Sequence, residues 1–167
     1  MKGEHQMEIW DAYDEKLNKI EGVSLIRGEP IKEGYYHLVC EIIVRHKDGS
    51  YLLMKRDERK HLGGMWEASA GGSALQGEAP FACAIRELQE ETGIVSDELT
   101  EIGRVLHHGH KSIYVEYLCN TDVDKDSIVL QDGETIDYKW ISGRELRLMS
   151  RDELASQRIQ NFVDELR

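Results

Sequence analysis

Residues 71–94 read GGSALQGEAPFACAIRELQEETGI, and the spacing of their carboxylates governs how the rest of the chain is understood. Glu87, Glu90 and Glu91 stand at i, i+3 and i+4. On a helix those offsets bring side chains to one face, about 5–6 Å apart at Cβ. Like charges so placed weaken a bare helix, so a cationic partner is expected to reward the arrangement. A divalent metal is the economical candidate, and its usual companion is a phosphate-bearing ligand. The plain alternative is a solvated acidic face, with Arg86 and Glu90 as an ordinary i,i+4 ion pair. The surroundings weigh against it. Pro80 suits the first turn of a helix and Gly93 its C-terminal cap. Ala82, Ile85 and Leu88 recur every three residues as a core-facing set. Gly71-Gly72-Ser73 reads as a loop in which backbone can approach a ligand closely.

These residues resemble the Nudix box, G-x5-E-x7-R-E-U-x-E-E-x-G-U, where U is a bulky aliphatic. Gly72, Glu78, Arg86, Glu87, Leu88, Glu90, Glu91, Gly93 and Ile94 fill every defined position. Nine fixed positions within 23 residues set this apart from a lone glycine motif. The resemblance implies an α/β protein with the Nudix fold, an α/β/α sandwich around a mixed β-sheet. It also implies Mg²⁺-dependent hydrolysis of a diphosphate linkage by water attack at phosphorus, with Mn²⁺ as the alternative ion. The substrate is then a nucleoside di- or triphosphate or a related nucleoside diphosphate-X compound.

By the same resemblance, Glu87, Glu90 and Glu91 are the metal ligands and catalytic residues, Glu91 foremost and Glu90 next. A backbone carbonyl near Gly71 or Gly72 is expected to add a ligand. Glu78 and Arg86 are expected to form a structural ion pair that positions loop and helix. Glu134, shortly before Trp140, lies where the family commonly carries a general base or further metal ligand; a solvated loop acid beside Asp132 and Gly133 is the plain alternative. Glu116, on an expected strand, is a second candidate for that role.

For substrate binding the candidates are Gly72, Arg56 and Trp66. Arg56, with Lys55 beside it, ends an apolar run and could reach a phosphate, as a solvent-facing pair also would. Trp66 near Gly63-Gly64 could stack on a base, though an aromatic core residue is the commoner case. His107, His108 and His110 read as a polar hairpin tip, and His37 as a structural residue at a strand start.

A chain of 167 residues with 40% hydrophobic content can bury the core of one domain, and no linker, repeat or low-complexity tract divides it. We therefore expect residues 1–167 to form one domain, with an N-terminal extension to about residue 33 packed as a β-hairpin. The net charge of −11 argues against a nucleic-acid polymer or an anionic membrane as partner. It leaves room for a small phosphorylated substrate if metal ions supply the local positive charge. Cys40, Cys83 and Cys119 form no close pair and read as buried small residues in a reducing compartment. With no long apolar run or signal-peptide pattern, a cytoplasmic protein is expected. The family resemblance implies a homodimer.

Along the chain, Glu8–Tyr13 and Ile20–Ile26 read as the strands of the first hairpin, turning at Asp14–Asn18. His37–Arg45 and Tyr51–Arg56 flank Lys47-Asp48-Gly49-Ser50, a strong hairpin signal. Glu101–His107 and Ser112–Asn120 read as antiparallel strands, and Ile136–Ile141 as another. Ser142 and Ser150 each open a capping box, the second starting a helix that runs to the C-terminus.

The flanks add a looser likeness. Trp10-Asp11-Ala12-Tyr13-Asp14, Arg27-Gly28-Glu29-Pro30, Tyr36-His37-Leu38-Val39 and Gly64–Gly72 resemble the subgroup related to isopentenyl diphosphate isomerase. That resemblance raises a rival activity, a double-bond shift by protonation and deprotonation. Its catalytic cysteine, in a segment like Asn-Thr-Cys-Cys-Ser-His-Pro, has no counterpart in Glu67–Gly72. A nucleotide-binding domain without turnover is the third reading. Such proteins often lose box glutamates, and here all are present. Sequence marks of NADH, coenzyme A and many ADP-ribose pyrophosphatases are absent, leaving nucleotides and other small diphosphates as the field.

Overall fold

The Asp48-Gly49 turn joins β3 (His37–His46) to β4 (Ser50–Arg56), with Gly49 at φ 92°, a backbone state in which glycine carries no steric penalty. The two strands pair at Arg45–Tyr51 and then part. On its freed edge β3 takes β6 (Ala70–Ser73) antiparallel, and along its other edge β8 (Ser112–Thr121) parallel. β4 takes β5 (Trp66–Glu67) on one side and β9 (Thr135–Ser142) on the other, both antiparallel. β7 (Leu99–His107) flanks β8 antiparallel, completing a mixed seven-stranded sheet. Where β3 and β4 part, the buried Ser69 hydroxyl accepts from the Val44 N–H at 2.8 Å and donates to the Leu52 carbonyl at 2.7 Å. One side chain thus replaces a missing ladder rung and leaves no orphaned backbone group there.

This computed structural model describes residues 7–165. Residues 1–6 of the expected N-terminal extension, and the last two of the expected C-terminal helix, lie outside that range. Within it the first hairpin is present as β1 (Ile9–Tyr13) and β2 (Lys19–Ile26), a separate two-stranded sheet. Trp10, Ala12 and Leu25 give it a small core of its own. The Trp10 ring stacks on His37 at 4.3 Å, and the Gly77 N–H donates to Asp11 Oδ2 at 2.7 Å. Those contacts moor the hairpin beside the segment that precedes the acidic helix.

Strand alternation assigns the two sheet faces. Leu38, Cys40, Ile42 and Val44 of β3 face one way and pack with α1 (Pro80–Thr92). Ile43 of β3 and Leu53 of β4 face the other way, under Leu146 of α2 (Gly143–Leu148) and Ile159, Phe162 and Val163 of α3 (Arg158–Glu165). The layers are therefore α/β/α, as the resemblance implied.

Three expectations need correction. The inward stripe of α1 is Ala84, Glu87, Leu88 and Glu91, joined by Cys83; Ala82 is exposed and Ile85 half-buried. That stripe follows i, i+3, i+4, i+7, the true helical face, whereas a three-residue spacing drifts off it. Gly71-Gly72-Ser73 is not a loop but part of β6. Ser150 does close a capping box, but on a single 3₁₀ turn, Arg151–Glu153. The chain then leaves helical geometry because Leu154 enters the core beside Trp66, with the Ala155 N–H donating to the Trp66 carbonyl at 2.8 Å. α3 starts afresh at Arg158.

Candidate active site

Two carboxylates of α1 point inward, Glu87 and Glu91, with 9% and 8% of their surface exposed; Glu90 stands at the rim. β6 receives them. A Cβ added to Gly72 would lie 2.3 Å from Glu87 Oε1, so only glycine leaves space for that carboxylate. The neighbouring Gly71 donates its N–H to Glu91 Oε2 at 3.3 Å. At Gly71 itself an added Cβ would lie 3.0 Å from the Cys40 carbonyl. Gly72 thus serves close packing of helix on strand, and Gly71 the close approach of β6 to β3.

The electrostatics show negative charge gathered without full compensation. Burial pushes the Glu87 carboxyl up to about 7, with Arg86 opposing and Glu90 adding repulsion. Glu91 is driven well above the usual carboxylate range by burial first, then by the charges of Glu87 and Glu67, against the pull of Lys60. Arg86 is the local counterweight. Its fork meets both oxygens of Glu78 at 2.8 Å, and it also reaches Glu87 at 2.8 Å, Glu90 at 3.1 Å and the Ser73 carbonyl at 3.2 Å. The expected Glu78–Arg86 pair is therefore present, and Arg86 is a hub for three acids.

Among the described residues no three carboxylate, imidazole or thiolate groups converge as a ready-made ligand set. The reason is visible in the pairing: Arg86 draws on Glu87 and Glu90, while Lys60 holds Glu134. The donor chemistry nonetheless suits a hard cation, since carboxylate oxygens are what Mg²⁺ prefers. Glu87 and Glu91, crowded and desolvated side by side, are the residues that would hold it, with Glu90 joining once it turns from Arg86.

Two cavities open from this point. One of about 300 Å³ lies in the wedge between β3 and β4 and runs from Glu91, Gly71 and Gly72 past Arg56 and Glu67 to Tyr114 and Arg158. The other, about 400 Å³, is bordered by Glu87, Glu90, Glu91, Arg86 and Glu134, and by Trp10 and Arg27 of the first hairpin. Gly71, Gly72, Glu91 and Lys60 border both.

The remaining candidates divide. Glu134 faces the acidic cavity in the grip of Lys60. Arg56 lines the wedge cavity but is bound to Glu67 at 2.6 Å and to the His61 carbonyl at 2.8 Å. Trp66 does not line it; its ring packs with the α2–α3 core and is covered by Lys139 at 4.2 Å and Lys55 at 5.9 Å. As part of β5 it is turned away because strand parity sends Glu67, not Trp66, to the cavity. Glu116 is 1% exposed and borders neither cavity. Its neighbour in the β3–β8 ladder, Glu41, does border the wedge cavity.

At the hairpin tip His107 stacks on His110 at 4.0 Å and His108 pairs with the Tyr36 hydroxyl at 3.1 Å; His110 alone reaches the wedge cavity. Cys40, Cys83 and Cys119 are free and fully buried. Lys60, Glu67, Glu41 and Arg158 were not singled out in the sequence. The available signal was Glu41 interrupting the apolar run Leu38–Val44, where a charge needs a partner.

No helix among the described residues is long and apolar enough to cross a membrane. A model of the NUDIX domain matches residues 36–164. An uncharacterized Nudix hydrolase of Listeria monocytogenes is 32% identical over 144 residues, 86% of this chain and 85% of the relative. Isopentenyl-diphosphate Delta-isomerase 2 of Photorhabdus laumondii is 33% identical over 124 residues, 71% of this chain and 69% of the relative. The crystal structure of DR0079 from Deinococcus radiodurans superposes with a TM-score of 0.76 at 17% identity, covering 95% of this chain and 98% of that one, a likeness of fold. With every box position filled from Gly72 on β6 through α1 to Ile94, and the domain match covering the seven-stranded sheet and reaching into α3, the chain belongs to the Nudix family.

Proposed function

We propose that this protein hydrolyses a diphosphate linkage in a nucleoside di- or triphosphate or a related nucleoside diphosphate compound, using Mg²⁺ or Mn²⁺. The observation that carries the reading is the pair Glu87 and Glu91, buried against β6, with Glu91 bordering both cavities and Glu87 the acidic one. A divalent ion bound there would lower the pKa of a water and neutralise phosphate oxygens. The chain supplies the rest. Glu87 and Glu91, with Glu90 from the rim, fix the ion's place; Arg86 keeps the helix and β6 in register. Glu134, on the acidic cavity, accepts the proton of the attacking water. Lys60, which borders both cavities, turns from Glu134 to a phosphate oxygen as the substrate enters.

The identity to an isomerase supports a second reading, a double-bond shift in an isopentenyl-type diphosphate. Against it, Glu67–Gly72, where the cysteine-histidine segment would fall, holds neither a cysteine nor a histidine, and all three cysteines are buried. A product-resolved screen of nucleotides and small diphosphates with Mg²⁺ or Mn²⁺ tests both, with Glu91→Gln as control. Metal-dependent phosphate release that the variant loses by orders of magnitude, with its fold intact, supports the hydrolase. Wild-type turnover in Glu91→Gln would overturn the role of the acidic helix, and absence of turnover across the panel would leave a binding domain.

A further inference from the structure

The far end of the wedge cavity has no part in the chemistry above. There the wall is formed by Glu41, Tyr114 and Arg158, with Val39, Ala68 and Ile159 as apolar sides. Glu41 and Glu116 are direct partners on the parallel strands β3 and β8, so their side chains leave the same face. Glu116 is 1% exposed, and among the described residues its Oε1 has no hydrogen-bond partner. Arg158 Nε stands 3.7 Å from that oxygen, near enough to attract it and too far to bond. Arg158 is committed to Glu41 instead, through Nε at 3.3 Å and a closer contact from Nη2. Its guanidinium lies 3.8 Å over the Tyr114 ring.

Burial, with the charge of Glu41 beside it, holds the Glu116 carboxyl far above the usual range. Glu116 therefore keeps its proton and can donate it to Glu41. A carboxylate accepts about four hydrogen bonds. Arg158 supplies two and the Glu116 proton can supply a third, which leaves Glu41, on the cavity wall, an open acceptor position. A fold that merely needed to be stable would fill this place with apolar side chains.

We propose that this end of the cavity binds a nucleobase through its exocyclic amino group, which donates to Glu41, so that the enzyme selects amino over oxo bases. The proposal rests on the nucleotide reading above and names the part of the substrate that reading leaves open. An oxo base presents an acceptor at the exocyclic position, where the carboxylate repels it, and its donor moves to the ring nitrogen, out of line with Glu41. An isopentenyl chain offers no donor and strips water from Glu41 and Arg158 without replacing it. Glu116 does not touch the base; it is a positioning residue that orients Glu41.

The test compares CDP with UDP and ADP with IDP, pairs that differ by amino against oxo, in the wild type, Glu41→Gln, Glu116→Gln and Glu116→Leu. The wild type is expected to prefer the amino member in kcat/KM by about tenfold or more, since sites built to hydrogen-bond one group reject its isostere. Glu41→Gln, whose amide can donate to an oxo group, should abolish or invert the preference, read as the ratio of kcat/KM between the two members of each pair. Glu116→Gln should retain the preference, because its amide N–H replaces the lost acid proton; Glu116→Leu should lose it. Equal turnover of both members by the wild type, or a uniform loss across all four nucleotides in Glu41→Gln, would overturn the proposal while the hydrolase stands. Calorimetric binding of CMP against UMP, and of AMP against IMP, separates the two ideas and needs only the wild type. Discrimination in binding without turnover of any diphosphate would uphold the base site and remove the hydrolase. Binding without discrimination would remove the base site.

Discussion

Gly72 and Glu87 compete for one volume: a Cβ on the glycine would stand 2.3 Å from the glutamate Oε1. Gly72 has ordinary strand geometry, so alanine there strains no backbone and instead evicts the carboxylate. Gly72→Ala should keep the fold, with a melting temperature within a few degrees of wild type, and lower metal-dependent turnover by about 100-fold. Near-normal kcat would show that Glu87 is dispensable at the site.

Charge on the buried pair makes a prediction in pH. Glu87 has a folded pKa of about 7 against 4.5 for the free group. Between those values the native state holds more protons than the unfolded one, so stability falls as pH rises. With chelator present, urea unfolding should show the protein losing stability from about pH 4.5 through pH 7 and beyond, and Glu87→Gln should flatten that slope. Millimolar Mg²⁺ should restore stability at the alkaline end, since binding to the folded form alone is stabilising. An identical slope in the variant, or no effect of Mg²⁺, would refute the assignment.

Arg86 bridges Glu78, Glu87 and Glu90 with one guanidinium. Arg86→Met removes the cation of the half-buried Glu78 and should cost about 1–2 kcal/mol, between an exposed and a fully buried pair. Arg86→Lys should recover only part, as an ammonium cannot reproduce the fork. Denaturant midpoints read this directly, and unchanged midpoints would mean the pairs are ornamental.

Ser69 predicts a local defect with a spectroscopic address. Ser69→Ala strands the Val44 N–H and the Leu52 carbonyl inside the protein, at a cost of about 2 kcal/mol or more. Val44 amide exchange should accelerate well beyond that of its β3 neighbours. Unchanged protection would mean that another acceptor holds the Val44 N–H.

What could be read from the chain was whatever local spacing encodes. The nine box positions placed α1, its proline start, its Gly93 cap and its acids, and Asp48-Gly49 marked its hairpin. Contacts between distant segments left no such trace. The inward face of α1 differs from the Ala82, Ile85 and Leu88 set because two acids belong to it: Glu87 and Leu88 share one buried stripe. β6 looked like a loop because two glycines suppress strand propensity. Its identity comes from pairing with β3, thirty residues earlier. Trp66 was offered as a base platform, yet strand parity turns it toward Leu154 and α3. Lys60 and Arg158 gain meaning only from the acids that folding brings to them.

The parting of β3 and β4 has a bearing on how such a molecule can change. Beyond the Arg45–Tyr51 rung and the Ser69 hydroxyl, the wedge is bordered by side chains, among them Glu41, Glu67, Ala68 and Arg158. Exchanging them alters what enters without unzipping a single main-chain hydrogen bond across the opening. Ligand preference can therefore drift over a few substitutions while the acidic helix and its strand stay as they are, which separates the evolution of selectivity from that of the reaction itself.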